Sequence, residues 1–170
     1  MKRKTSELEK NNEAFDMRVN KGMLPTIEIA GHTFYVDIRM DKLRPKDDFL
    51  SDGISFSEIE DYLNEEKEIY IIPYDPQKKE PCKIDYESII EIPKNLIVVK
   101  IPRIDKLDPV GWNRQHGYDL TAGFKKSTLK MTFKAKSGKW EDIYVPQKIK
   151  ENINRVKKSE KNKPTLKPKR

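Results

Sequence analysis

Thr26-Ile27-Glu28-Ile29-Ala30-Gly31-His32-Thr33-Phe34-Tyr35-Val36-Asp37-Ile38-Arg39 is the stretch that decides the fold. Ile27 and Ile29 alternate with Glu28 and Ala30, and Phe34, Val36 and Ile38 alternate with Tyr35, Asp37 and Arg39. A period of two places each apolar row on one face of a strand. Between the rows, Gly31-His32 predicts a two-residue turn with Gly first, as a type II′ turn prefers. Two strands alone are marginal in water, so this hairpin needs further strands or a helix over its apolar face.

The rest of the chain supplies them. Residues 69–74 predict a strand, closed by Asp75-Pro76-Gln77-Lys78-Lys79-Glu80-Pro81, with residues 82–86 returning antiparallel. Residues 89–92 and 96–101 flank a turn candidate, Pro93-Lys94-Asn95. The second run is almost continuously apolar, which predicts burial on both faces. Pro73, Pro93 and Pro102 stand at run ends, where they would block edge pairing. Residues 129–135 alternate again, with Leu129, Met131, Phe133 and Ala135 on one face. Lys130, Thr132, Lys134 and Lys136 take the other face, Ser137-Gly138 turns the chain, and residues 140–145 return.

Helical patterns are short. Ser6 with Glu9 forms a capping box ahead of Leu8, Phe15 and Val19, and Gly22 is a stop. Ser57 with Glu60 forms another, and Ile59, Tyr62 and Leu63 make one apolar stripe. That helix lies within residues 47–66, which hold eight acids and no Lys or Arg. Residues 104–124 read as a long irregular loop around Asp108-Pro109. Ile149, Ile153 and Val156 predict a short helix after Pro146. The class is α+β: a mostly antiparallel sheet of about five to seven strands with one or two short helices. Residues 1–22 form an N-terminal helical extension, 23–146 a single α+β domain, and 147–170 a basic helix or disordered tail.

Charge is segregated along the chain. The 170 residues carry a net +7. Residues 147–170 hold ten Lys/Arg and two Asp/Glu, a charge of +8, which leaves residues 1–146 at −1. The basic character therefore belongs to the tail. Residues 157–170 have too few apolar side chains to offset their ordering entropy, and predict disorder. Cys82 is the only cysteine, so no intramolecular disulfide forms, and a lone thiol fits a reducing compartment. Met1-Lys2-Arg3-Lys4 leads into polar sequence, which does not read as a secretion signal. No apolar run approaches the length of a bilayer span, so the expected location is the cytoplasm, without membrane contact.

Catalytic and metal chemistry find little support. His32, His116 and Cys82 share no ligand spacing, and Asp47, Asp48 and Asp52 lack the spacing of a calcium loop. Cys82 stands between Pro81 and Lys83 and reads as an inert strand residue. No phosphate-loop, dinucleotide or nucleophile-elbow motif occurs. We expect no catalytic residues, no metal and no cofactor.

The acid-free stretch from Leu120 to Trp140 holds Lys125, Lys126, Lys130, Lys134, Lys136 and Lys139. Lysines on one sheet face, beside Trp112, Tyr118 and Trp140, could track a phosphate backbone while rings stack on bases. An ordinary exposed face, with lysines guarding an edge strand, produces the same pattern. Arg114, Lys148, Lys157 and Lys158 extend the candidate set toward the tail. Trp112 could pin its loop from below or stand exposed beside Arg114 as an interface anchor.

Leu24-Pro25-Thr26-Ile27-Glu28-Ile29-Ala30-Gly31, Phe34-Tyr35-Val36-Asp37-Ile38-Arg39 and Leu107-Asp108-Pro109-Val110-Gly111 together carry a resemblance. The chain resembles a group of short uncharacterised bacterial proteins found on mobile elements. The resemblance implies a bacterial cytoplasmic protein in the setting of mobile-element DNA transactions, and it implies no activity, cofactor or site. The expected function is that of a non-enzymatic accessory protein binding nucleic acid without sequence preference, through the lysine strand and the tail. The alternative is a protein–protein adaptor or structural subunit, using the tail, the N-terminal helix and the Trp112 loop. Such a protein would meet an acidic protein surface or another copy of itself.

Overall fold

The structure, a computed structural model, describes residues 12–162. Ten short strands form two sheets. The first takes β1 (Thr26–Ile29), β2 (His32–Asp37), β3 (Lys42–Pro45), β4 (Ile54–Ser55) and, from far along the chain, β9 (Thr132–Lys134), in the order β4-β3-β2-β1-β9. The second takes β5 (Leu63–Asn64), β6 (Ile69–Asp75), β7 (Glu80–Pro81), β8 (Ile97–Pro102) and β10 (Lys136–Ser137), in the order β10-β8-β6-β5, with β7 also on β6. All pairings are antiparallel except that of β1 with β9. The α+β class and the antiparallel character stand; the strands divide between two sheets.

The hairpin forms with Ile27 opposite Phe34 and Ile29 opposite His32. Its turn lies one residue earlier than expected. Ala30 and Gly31 both take positive φ, +50° and +84°, the signature of a type I′ turn rather than II′. His32 is thereby the first residue of β2. Ile27, Ile29, Phe34 and Val36 are fully buried and join Tyr70, Ile72, Tyr74, Val99 and Ile101 of the second sheet in one apolar cluster.

Other expectations are corrected. The helix near residue 57 is a single turn, α1 (Phe56–Ile59), followed by a 3-10 turn. Its cap is Ser55, whose hydroxyl accepts from Ser57 N–H, because Ser57 donates its own hydroxyl to Asp41. Pro73 sits inside β6, opposite Val98, and not at a run end. Its carbonyl accepts from Cys82 N–H on the far side from β8, so its missing donor faces the same way and the β8 ladder is spared. Residues 82–86 and 89–92 form no strand; only Glu80 and Pro81 return along β6. In β8, Val98, Val99 and Ile101 are buried, but Ile97 is exposed.

Of residues 104–124, 104–107 and 109–116 are helical, while 117–124 stay irregular. α2 (Ile104–Leu107) runs into α3 (Pro109–His116) through Asp108. Residues 140–145 do not return as a strand. Trp140–Ile143 is a 3-10 turn, stopped by Tyr144 at φ +59°, and α4 (Val145–Asn162) follows directly. α4 thus starts before Pro146, and residues 157–162 continue it as helix. Asn152, buried at its centre, donates to the carbonyls of Tyr86 and Ile89, fixing the helix to the segment before β8. At the other end, residues 12–20 are helical, closing in a π turn at Asp16–Asn20. Ser6, Leu8 and Glu9 lie outside the described residues, as do residues 163–170.

Candidate nucleic-acid interface

The site grows from Asp108-Pro109. Asp108 caps α3 by accepting from Gly111 N–H at 3.1 Å, and Pro109 fills the first helical position, where a missing N–H costs nothing. Gly117 ends the helix in the left-handed region, and Tyr118 N–H bonds back to the Asn113 carbonyl. Asn113 is buried and donates to the carbonyls of Leu120 and Ala122 at 3.1 and 2.9 Å. One side chain therefore folds the following loop back along its own helix.

That loop and the approach to β9 enclose a groove of about 640 Å³. Trp112, Tyr118, Phe124 and Phe133 provide rings along it, and Lys130 stands at its lining with Nζ 5.7 Å from the centre of the Phe133 ring. Trp112 packs on His116 at 4.0 Å between ring centroids, and His116 stacks on Tyr118 at 5.8 Å. The Trp112 carbonyl also lies 2.8 Å from His116 Nδ1. Trp112 is half-buried: it packs against its own helix while still lining the groove.

At another part of the lining, Glu68, Arg103, Asp105 and Lys106 form a closed ion-pair cluster. Arg103 makes two parallel bonds to Asp105 at 2.6 and 2.8 Å. Lys106 pairs with Glu68. The Lys106 hydrogen bond lowers the Glu68 pKa, and the Arg103 bond lowers that of Asp105. With two cations and two carboxylates, the cluster is close to neutral.

Of the residues singled out in the sequence, Trp112, Tyr118 and Lys130 meet in the groove. Lys134 and Lys136 are exposed on β9 and β10, either side of Ala135, where the chain leaves one sheet for the other. Lys125 and Lys139 are exposed, and Lys126 lies with Nζ 4.5 Å from the centre of the Phe15 ring. Arg114 opens onto a different cleft, beside Arg18 and Asp108. Trp140 sits half-buried in its 3-10 turn, away from the groove lining. Lys148 pairs with Glu151 at 3.3 Å and lies 4.0 Å from Glu87, so the root of α4 is partly neutralised. Lys157 and Lys158 are exposed farther along that helix. Sequence reasoning missed Phe124 and the four-residue ion cluster, which carry no local signal before the fold assembles them.

Among the described residues, no group of three or more His, Cys, Asp or Glu is placed to hold a metal ion. No helix among them is long and apolar enough to cross a membrane. No protein-family model, curated protein or solved structure matches the chain.

Proposed function

We propose that this protein binds nucleic acid through its phosphate backbone, with little sequence preference, as an accessory factor rather than an enzyme. One observation carries the reading. Among the described residues, Lys125, Lys126, Lys130, Lys134, Lys136 and Lys139 are all exposed and none has a carboxylate within 4.0 Å, a state they share with other surface lysines such as Lys157 and Lys158. Six exposed lysines close together in sequence, without carboxylate partners, make a polyanion the natural counterpart. The exposed lysines of α4 add to the attraction. The setting that the resemblance suggests is mobile-element DNA in a bacterial cytoplasm.

The test is binding of short DNA and RNA across a salt series. Affinity falls steeply with salt, and changing Lys134 and Lys136 together to Gln flattens the slope by about two phosphate equivalents. No binding at low salt, or affinity indifferent to salt, overturns the reading.

A protein-adaptor reading has one observation of its own. Phe49 and Leu50 are 91% and 97% exposed at the tip of the loop between β3 and β4, flanked by Asp47, Asp48 and Asp52. Co-purification of one protein after nuclease treatment, lost on changing Phe49 and Leu50 to Ser, would favour it.

A further inference from the structure

We propose that the groove beside Trp112 takes unpaired bases, so that the nucleic acid recognised is single-stranded. The inference rests on the polyanion reading above and adds to it the chemical form of the ligand. In a duplex the base faces are covered by neighbouring bases, and only edges and backbone are on offer. A groove walled by rings suits flat faces, which only unstacked bases present. Tyr118 is 58% exposed at that wall, so a ring is available without rearrangement. The volume of about 640 Å³ suits a small heterocyclic ligand rather than a helix.

The wall is also built in advance. Asn113 holds Leu120 and Ala122, and the Gly117 cap holds Tyr118, so ordering is not charged to the ligand. Charge is graded around the rings. Lys130 offers a cation without a carboxylate partner, while the cluster of Glu68, Arg103, Asp105 and Lys106 is internally compensated. A phosphate therefore settles at Lys130, with the base against the rings.

The experiment uses the full chain carrying Trp140→Phe, which leaves Trp112 as the sole tryptophan reporter. Its ligands are a labelled oligodeoxythymidylate and the duplex that strand forms with its complement, both at low salt. The single strand binds more tightly and quenches Trp112 emission. Tyr118→Ala weakens single-strand binding by about tenfold and leaves duplex binding unchanged. Equal affinity for both forms, unchanged Trp112 emission, or indifference to Tyr118→Ala overturns the groove while leaving the polyanion reading intact. Failure of both forms to bind at low salt removes both together.

Discussion

Arg18 and Asp108, both buried, face each other through a two-bond fork, with Arg18 Nε 3.0 Å from Asp108 Oδ1 and Nη2 2.9 Å from Oδ2. The pair ties the N-terminal helical segment to the residue that caps α3. Asp108 thus serves two elements, since Oδ1 also accepts from Gly111 N–H. Removing one partner leaves a buried charge unpaired, a loss of about 3–5 kcal/mol. We expect Arg18→Leu to lower stability by that order in urea denaturation. Arg18→Leu with Asp108→Asn should recover part of the loss, because no net charge then stays buried. Additive losses would show that the two act independently.

Gly53 presents a different constraint. It holds φ +71°, and a Cβ there would stand 2.3 Å from the Leu43 carbonyl oxygen. Gly53→Ala combines left-handed strain with backbone overlap, and should cost about 2–4 kcal/mol. Gly31, at φ +84°, has open space around it. Gly31→Ala should cost only about 1 kcal/mol. Thermal melts of the two variants side by side test the ordering.

Tyr70 and Tyr74 predict an alkaline transition. Burial pushes the Tyr70 phenol up to about 12 and raises Tyr74 as well. Each is an acid whose neutral form the folded chain favours. Their contribution is therefore complete below the ordinary phenol value near 10 and is lost as pH rises through about 12. Phenolate absorbance from these two should emerge together with loss of the fold, not ahead of it. The Tyr74 hydroxyl is also buried without a partner among the described residues. Tyr74→Phe should accordingly be neutral or stabilising by about 1 kcal/mol, measured at neutral pH. Tyr70→Phe should destabilise, because the Tyr70 hydroxyl accepts from Ile104 N–H.

Asn152 should govern the order of α4. Its two donations to the Tyr86 and Ile89 carbonyls, at 2.9 and 2.7 Å, are joined by Arg155, which bonds the Glu87 carbonyl. Asn152→Ala should cost about 1–3 kcal/mol and speed amide exchange along the helix more than in β6. Uniform acceleration in both elements would show that α4 and the sheets unfold as one.

The hairpin was legible because Ile27, Ile29, Phe34 and Val36 keep strict alternation, and alternation survives an error of one residue in the turn. That error came from Ala30, which adopts a positive φ that its side chain disfavours and its neighbours impose. α3 reads as loop in the sequence although Asp108-Pro109 is a helix start. Its inward side carries Asn113 beside Val110, so no apolar stripe marks it. Residues 140–145 looked like a strand by composition, yet Tyr144 in the left-handed region turns the chain into α4. Residues 157–162 have the charge of a disordered tail, but Lys and Glu are good helix formers once Asn152 and Arg155 anchor the helix before them. The groove had no local signature: Glu68, Arg103, Trp112 and Phe133 come from separate parts of the chain. The contiguous lysine run, with Trp112 and Tyr118 as candidate stacking rings, is the part of the site that the sequence shows.

That run also occupies the segment that closes both sheets. Thr26 pairs with Thr132 in the first sheet, and Lys136 pairs with Lys100 in the second, with one residue between the two strands. During synthesis, β1 emerges early and waits for β9, which must arrive before either sheet is complete. Contacts so distant in sequence slow folding, and an unfilled edge beside β1 is open to pairing with another chain meanwhile. Lys134 and Lys136 place charge on that closing segment, which disfavours its pairing with another chain. The lysines of β9 and β10 therefore take their places only when these long-range pairings form.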